Sequence, residues 1–513
     1  MRISIVIVMA WLGSTAMAQG SNVTPSAAPP LRSLVVDAGS TAGTLRSLQG
    51  VNGAPLPNVH KPLDFRFGGW NMPGEIDATE GYRRARIDLV RTHDSYGPGD
   101  IDPRFFPCAG ADRDVLSIFP DLNADLDDPK SYHFAPTDQL IASIKNVGAE
   151  VMFRLGRSEC SNAEPPADFD RYAGVVKHIV MHYNQGWASG FRHGIRYWEV
   201  WNEPDLATIF WGGTPEQYFE LYARIARAVK EADPNALVGG PALARSNDAI
   251  PYQNSFLKYV RARQLPLDFY SWHWYATDSD DPLDFIRIGR DVRARLDAHG
   301  FAKTLSVVNE WNYGLGEPVH NLQRAGFIAS TLMYMQDAPI DISALYRADN
   351  VFGKDGATPD KVGQALIAFG RMKDTPSRLK AEGADLDGFA VQAGRSADGR
   401  TLQVLIANYE IPAELRGPRS TPNVHMPNVF DVSLLERRSV TYQNNSGYDL
   451  TIDNLVPARE YRVERFRISD DSDFALVDST TQVGPRVHLQ APLPPPGIEL
   501  VVLKMVDERT ARR

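Results

Sequence analysis

The feature that most restricts what this chain can become is an alternation of short apolar runs with longer amphipathic ones. It is sustained from Gly50 to about Met372. A short buried apolar run reads as a strand, and apolar residues recurring at i, i+3, i+4 and i+7 read as one helix face. One unit shows the pattern. Tyr218, Leu221, Tyr222, Ile225, Ala226 and Val229 share a helix face. Thr214-Pro215-Glu216-Gln217 before them is a capping box with proline in the first helical position. Asp233-Pro234 ends the helix, and Ala236–Gly240 follows as a short buried strand.

Strand candidates recur along this region at Leu48–Asn52, Leu89–His93, Glu150–Leu155, Ile195–Trp201, Ala236–Gly240, Leu267–His273, Thr304–Asn309 and Asp341–Tyr346. Eight parallel strands separated by helices predict the α/β fold class of a TIM barrel, (β/α)8. An open doubly wound sheet also alternates, but its first strand usually runs into a glycine-rich phosphate loop. Gly50-Val-Asn-Gly53 is not such a loop. A chain of 513 residues exceeds one ordinary domain. Past Pro376 the texture changes to short β-rich segments: Gly388–Ala393, Thr401–Ala407, Ser439–Tyr442, Tyr461–Phe466 and Ile498–Lys504. These predict a C-terminal all-β sandwich over 377–508, after a catalytic barrel over 48–376. Residues 34–47 begin with the β-like Leu34–Asp37, read as a strand added to the sandwich.

The first 18 residues read as a signal peptide: Arg2, an apolar run from Ile3 to Leu12, and the small-residue cleavage pattern Ala16-Met17-Ala18. Residues 19–33 read as a disordered linker. The expectation is a secreted or periplasmic protein with no membrane contact after cleavage. Net charge is −9 with both signs interspersed, and no basic tract suggests a nucleic-acid partner. The cysteines are Cys108 and Cys160, with no CxxC, so zinc-ribbon and thioredoxin readings fail.

The densest chemical signal is Tyr197-Trp-Glu-Val-Trp-Asn-Glu-Pro-Asp205, which ends the fourth strand. Barrel enzymes carry their catalytic groups at the C-terminal ends of strands. Glu203 has that address, with Asn202 before it and Trp198 and Trp201 beside it. Glu199 lies four residues back, about 13 Å deeper at the rise of a strand, and reads as a buried, paired structural carboxylate. The second signal, Val307-Val-Asn-Glu-Trp-Asn-Tyr313, gives Glu310 the same address on the seventh strand, with Trp311 next to it. Two carboxylates converging at one barrel mouth can cleave a glycosidic bond, one protonating the leaving oxygen and the other attacking the anomeric carbon. A third signal, Tyr270-Ser-Trp-His-Trp-Tyr275, puts His273 and Tyr275 on one strand face, from which Tyr275 could hydrogen-bond Glu310. A fourth is Arg91-Thr-His-Asp94 at the end of the second strand. Of Trp198, Trp201, Trp272 and Trp274, about half are expected to line the cleft.

These motifs together resemble family 39 of the glycoside hydrolases, in clan A. That family includes β-xylosidases, α-L-iduronidases and exopolysaccharide-degrading glycosidases. The resemblance implies a retaining O-glycosyl hydrolase with Glu203 as acid/base and Glu310 as nucleophile. It implies substrate-binding residues Asn202 (at the sugar 2-hydroxyl), His93, Arg91, His273, Tyr275 and Trp311, an oligo- or polysaccharide as partner, and no cofactor or metal. A β-xyloside is the first expectation for the substrate, and an acidic bacterial exopolysaccharide the alternative. Clan members often carry tryptophan at the end of strand eight, where this chain reads Leu345-Tyr346-Arg347. Arg154, Arg157 and Arg347, near strand ends, are expected to pair with barrel carboxylates in preference to an acidic sugar.

Two readings from other classes are weaker. A metal-dependent barrel hydrolase needs clustered His and carboxylate ligands, and no His-x-His follows the first strand. A non-catalytic glycan-binding protein would have no need of both Glu203 and Glu310. Cys108 and Cys160 fall in the loops after adjacent strands two and three, and in an oxidising compartment they are expected to form a disulfide.

Overall fold

The computed structural model describes residues 30–507, apart from 57–65, 68–69, 72–75, 96, 103–116, 159–163, 207–208, 245–249, 277–280, 314–319, 384–387 and 410–444. The cysteine pair, the signal peptide and the strand read at Ser439–Tyr442 lie outside the described residues.

Eight parallel strands close into a barrel. In chain order they are Gly50–Asn52, Leu89–Arg91, Glu150–Leu155, Tyr197–Val200, Leu237–Leu243, Phe269–Ala276, Leu305–Tyr313 and Ile342–Leu345. The ring shuts where the eighth strand pairs with the first, Ala344 beside Gly50 and Leu345 beside Val51. Each strand is followed by a helix, from the short Thr79–Ala85 to Lys361–Arg371. The helix read from its periodicity spans Pro215–Ala232, with the Thr214–Gln217 capping box formed and Asp233 as its C-cap.

The barrel interior is layered. At its base Leu89, Met152, Tyr197, Phe269, Val307 and Ala344 form an apolar plug. Side chains alternate across a strand, so the next inward positions lie two residues on. There the interior turns polar with Arg91, Arg154, Glu199, Ser271 and Asn309, all fully buried. The layer above these, at the mouth, holds the candidate site.

The C-terminal region is one continuous nine-stranded sheet rather than two separate ones. It folds over on itself, so that Leu450 and Ile452 near one end share a core with Tyr461 and Val463 near the other. Leu31–Thr44, which precedes the barrel in sequence, lies inside this sheet. It runs antiparallel to Ser377–Glu382 and parallel to Gly447–Asp453. Its alternate residues Leu34, Val36 and Ala38 are buried in the sheet's core. The barrel is thus held at both chain ends by one β-structure. Leu34→Ala should lower the unfolding free energy by about 2–5 kcal/mol through transfer and cavity costs. Leu31→Ala, at a 38% exposed position, should change it by less than about 0.5 kcal/mol. Urea unfolding of the two variants reads the difference, and equal effects would show that the strand contributes little to the core.

Candidate active site

The site is assembled around one guanidinium. Arg91, at the end of strand two, donates from Nε to Glu199 at 2.6 Å, from Nη1 to Glu310 at 2.9 Å and to Asn52 at 3.2 Å, and from Nη2 to Asn202 at 2.6 Å. Strands one, two, four and seven therefore meet on one cation. Glu199 is completed by Asn309, whose amide donates to its second oxygen. This is the buried, paired role expected for Glu199. Arg91 is fully buried and engaged by protein groups, so it supports the site from beneath.

Glu310 reaches the cleft through an irregularity in strand seven. Val308 pairs with Trp272, but the next pair is Glu310 with His273, so Asn309 is an extra residue. Such a bulge re-aims the side chains that follow it. Asn309 points inward to Glu199, and the bulge turns Glu310 inward as well. Trp311 then faces the helices. Its indole donates to Ser343 at 2.9 Å and its ring packs 5.6 Å from Phe285. Trp311 is therefore core, a correction to its expected place among the substrate contacts.

Glu203 is placed by a different distortion. Strand four ends at Val200, and Trp201 and Glu203 both take left-handed backbone angles, φ 70° and 42°. Such angles are costly for large side chains and persist where surrounding structure holds them. Here the Trp201 N–H donates to Leu155 O, the Glu203 N–H donates to Ala242 O, and the Trp201 indole donates to Phe210 O. All four tryptophans considered for the cleft are buried instead. Trp198 stacks on Phe153, Trp201 packs edge-on to Trp211 under the guanidinium of Arg157, and Trp272 donates to Ser306. Trp274 is 6% exposed. Trp272 and Trp274 alternate with the inward His273 and Tyr275, which puts them on the helix side of the strand.

At the mouth, His273 Nδ1 lies 2.8 Å from Glu203 Oε1 and 3.6 Å from Glu310 Oε2. One oxygen of Glu203, one of Glu310 and a His273 nitrogen all lie within 4.8 Å of one another. Tyr275 Oη donates to Glu310 Oε1, and His93 Nε2 is 3.5 Å from Glu310 Oε2 and 3.3 Å from Asp94. Asn202 is held through its oxygen by Arg91, and its buried Nδ2 has no protein partner among the described residues. Burial, assisted by Arg91, holds both His93 and His273 well below the usual imidazole range, so both are neutral. Burial pushes Glu203 well above the usual carboxylate range, and the charges of Glu310 and Asp205 push the same way. Burial also raises Glu310, to about 7, against the opposing pull of Arg91 and the Tyr275 hydrogen bond.

The sequence did not reveal Asn52, Asn309 or Tyr346 as parts of this network. Tyr346 Oη donates to Asp94 at 2.9 Å. The arginines near strand ends are matched by carboxylates: Arg154 by Asp100, Arg157 by Asp102 and Arg347 by Asp349. Glu203, His273 and Glu310 are also close enough together to offer ligands to a cation. Arg91 already supplies positive charge to Glu310 there.

Residues 110–342, which include both glutamates, match the model of glycosyl hydrolases family 39. A glucosidase from Croceicoccus marinus is 33% identical, with TM-score 0.80, over 93% of this chain and all of that one. This chain belongs to glycosyl hydrolase family 39. Its relatives include the β-xylosidase of Geobacillus stearothermophilus, 31% identical over 194 residues, which are 33% of this chain and 37% of that one. The β-xylosidase of Caldicellulosiruptor saccharolyticus is 30% identical over 223 residues, 40% of this chain and 43% of the other. The chain thus matches less than half the length of these curated relatives. The fold of this family 39 member is shared with a monomeric β-xylosidase from Caulobacter crescentus, at TM-score 0.61, 15% identity, and cover of 93% and 100%.

The Arg91–Glu199 pair carries a stability prediction. Arg91→Met strands a buried carboxylate and should cost about 3–5 kcal/mol of folding free energy. Glu199→Gln in the same chain should recover much of that loss. Chemical denaturation of the single and double variants checks both, and a stable Arg91→Met protein would refute the central role of the pair.

Proposed function

We propose that this protein is a retaining glycoside hydrolase in which Glu310 is the nucleophile and Glu203 the acid/base. The observation that carries this reading is the proximity of the two carboxylates, within 4.8 Å at their nearer oxygens. Retaining enzymes hold their carboxyl groups about 5–5.5 Å apart, and inverting ones leave room for a water between them. The partners also differ in the required sense. Glu310 receives hydrogen bonds from Arg91 and Tyr275, which favour its ionised form. Glu203 faces a neutral imidazole and a neighbouring carboxylate, which favour its protonated form.

In the first step a Glu310 oxygen bonds to the anomeric carbon, the glycosidic C–O bond breaks, and the Glu203 proton passes to the leaving oxygen. In the second, Glu203 takes a proton from water, that water's oxygen bonds to the anomeric carbon, and Glu310 is released. The Asn202 amide, without a protein partner among the described residues, suits a sugar hydroxyl beside the reacting carbon. A β-xyloside is the first substrate, after the β-xylosidases among the relatives. A glucoside is the second, because a glucosidase is 33% identical to this chain over 93% of its length. The acidic exopolysaccharide reading has less support, since the arginines it would use are matched by aspartates. The leader-like N-terminal sequence supports activity in the periplasm or outside the cell.

Glu310→Ala should abolish turnover on every glycoside, because no glycosyl-enzyme can form. Glu203→Ala should lose about 10²–10⁴-fold on substrates with poor leaving groups. It should keep activity on those with activated leaving groups and be partly rescued by azide. Undiminished cleavage of a natural glycoside by Glu203→Ala would reassign the acid. A turnover assay with aryl glycosides also separates this reading from a glycan-binding protein. An NMR time course of wild-type hydrolysis should show the substrate's own anomeric configuration first, and an inverted first product would exclude the double displacement.

A further inference from the structure

At the end of strand eight, Tyr346 turns its hydroxyl onto a carboxylate, donating to Asp94 Oδ2 at 2.9 Å. Its ring stands edge-on 6.2 Å from Tyr275 and 6.3 Å from the ring of His93. Asp94 itself is held by its backbone. It adopts a left-handed φ of 50°, and its carbonyl accepts from Arg347 Nη1 at 3.2 Å. The nitrogen Nε2 of His93 lies between Asp94 and Glu310, 3.3 Å from one and 3.5 Å from the other. A sugar ring whose anomeric carbon met Glu310 would therefore have Asp94 within reach of its hydroxyls.

We propose that Asp94, oriented by Tyr346, is a specificity-determining residue that accepts hydrogen bonds from hydroxyl groups of the glycone and discriminates against a uronate. The proposal rests on the hydrolytic reading above and names what that site selects. A carboxylate is an acceptor only, so a hydroxyl satisfies it and another carboxylate is repelled by it. The surrounding charge points the same way. The nearby cations are already matched, Arg91 by Glu199 and Glu310, Arg154 by Asp100 and Arg347 by Asp349, and the neighbouring histidines are neutral. The field of Asp94 reaches both glutamates, raising each. A hydroxyl that donates to a carboxylate makes a charge-assisted hydrogen bond, stronger than a neutral one, so an analogue lacking that hydroxyl is disfavoured.

The test uses the full-length protein, 4-nitrophenyl β-xyloside and β-glucoside, their monodeoxy derivatives, and 4-nitrophenyl β-glucuronide. Wild-type enzyme should cleave a neutral parent glycoside and turn over the glucuronide at least about 100-fold more slowly. Asp94→Ala should lower kcat/KM on the neutral parent by about 100-fold. For one monodeoxy substrate, lacking the hydroxyl that Asp94 holds, wild-type activity should already be low and Asp94→Ala should add little further loss. The other monodeoxy substrates should lose as much as the parent. Tyr346→Phe removes only the orienting hydroxyl, and should give a smaller loss with the same dependence on position. It carries the test if Asp94→Ala does not fold. Fully additive deoxy penalties at every position, or glucuronide cleaved as fast as glucoside, would overturn the role of Asp94 while leaving the hydrolase reading intact. A wild-type enzyme that turned over no glycoside would remove both.

Discussion

A guanidinium sealed inside a barrel has to be matched by carboxylate, because an unpaired buried charge costs several kcal/mol or more. Arg91 is that group here, fully buried above an apolar plug and bonded to Glu199, Glu310, Asn202 and Asn52. Its planar fork of donors sets directions as well as charge. Of its partners, Glu199 and Asn52 lie in the interior layer, while Glu310 and Asn202 belong to the mouth. One cation therefore does two things. It permits a polar layer inside the barrel, and it transmits the rigidity of that layer to the side chains that would meet a sugar.

Regular strands alone would not deliver those side chains. Strict alternation through Val308 and Asn309 would send Glu310 outward, and the extra residue in strand seven reverses that. On strand four the chain leaves the sheet at Val200, and Trp201 and Glu203 itself are both left-handed. Both glutamates thus sit where the backbone departs from the ladder. The cost is borne by the surrounding hydrogen bonds, including those from Trp201 and Glu203 to carbonyls of neighbouring strands. Strain at such positions fixes geometry because the neighbouring barrel strands over-determine it.

The barrel was legible because its strands are buried on both faces and read as apolar runs, while its helices keep one polar face. Glu150–Leu155 was read with its observed limits, and the helix opened by Thr214 and closed by Asp233 was legible from its caps. Glu203 and Glu310 were legible as residues at strand ends. Trp311 was not, since its orientation depends on the bulge at Asn309, and a one-residue irregularity inverts every side chain after it. Asn52 was read only as the end of the first strand, and nothing in so short a strand marks its side chain as a partner of Arg91. The mutual contact of Asp94 and Tyr346 spans 252 residues of sequence and depends on ring closure. The folded-over C-terminal sheet was legible as β-structure, but its continuity rests on Leu31–Thr44 pairing with strands far along the chain.

The division of labour proposed for the two glutamates follows from what each one faces. Both are buried, and burial alone would make both neutral. Arg91 and Tyr275 donate to Glu310, so the remaining negative charge of the pair settles there. That charge in turn opposes ionisation of Glu203, whose near neighbour His273 is neutral. The coupling also gives the proposed cycle its direction. When Glu310 becomes an ester with the sugar, its charge is gone and the electrostatic resistance to ionising Glu203 falls with it. Glu203 can then exist as the carboxylate that accepts a proton from water. Hydrolysis of the ester restores the charge on Glu310 and the proton on Glu203 together, so neither residue requires an outside group to reset it.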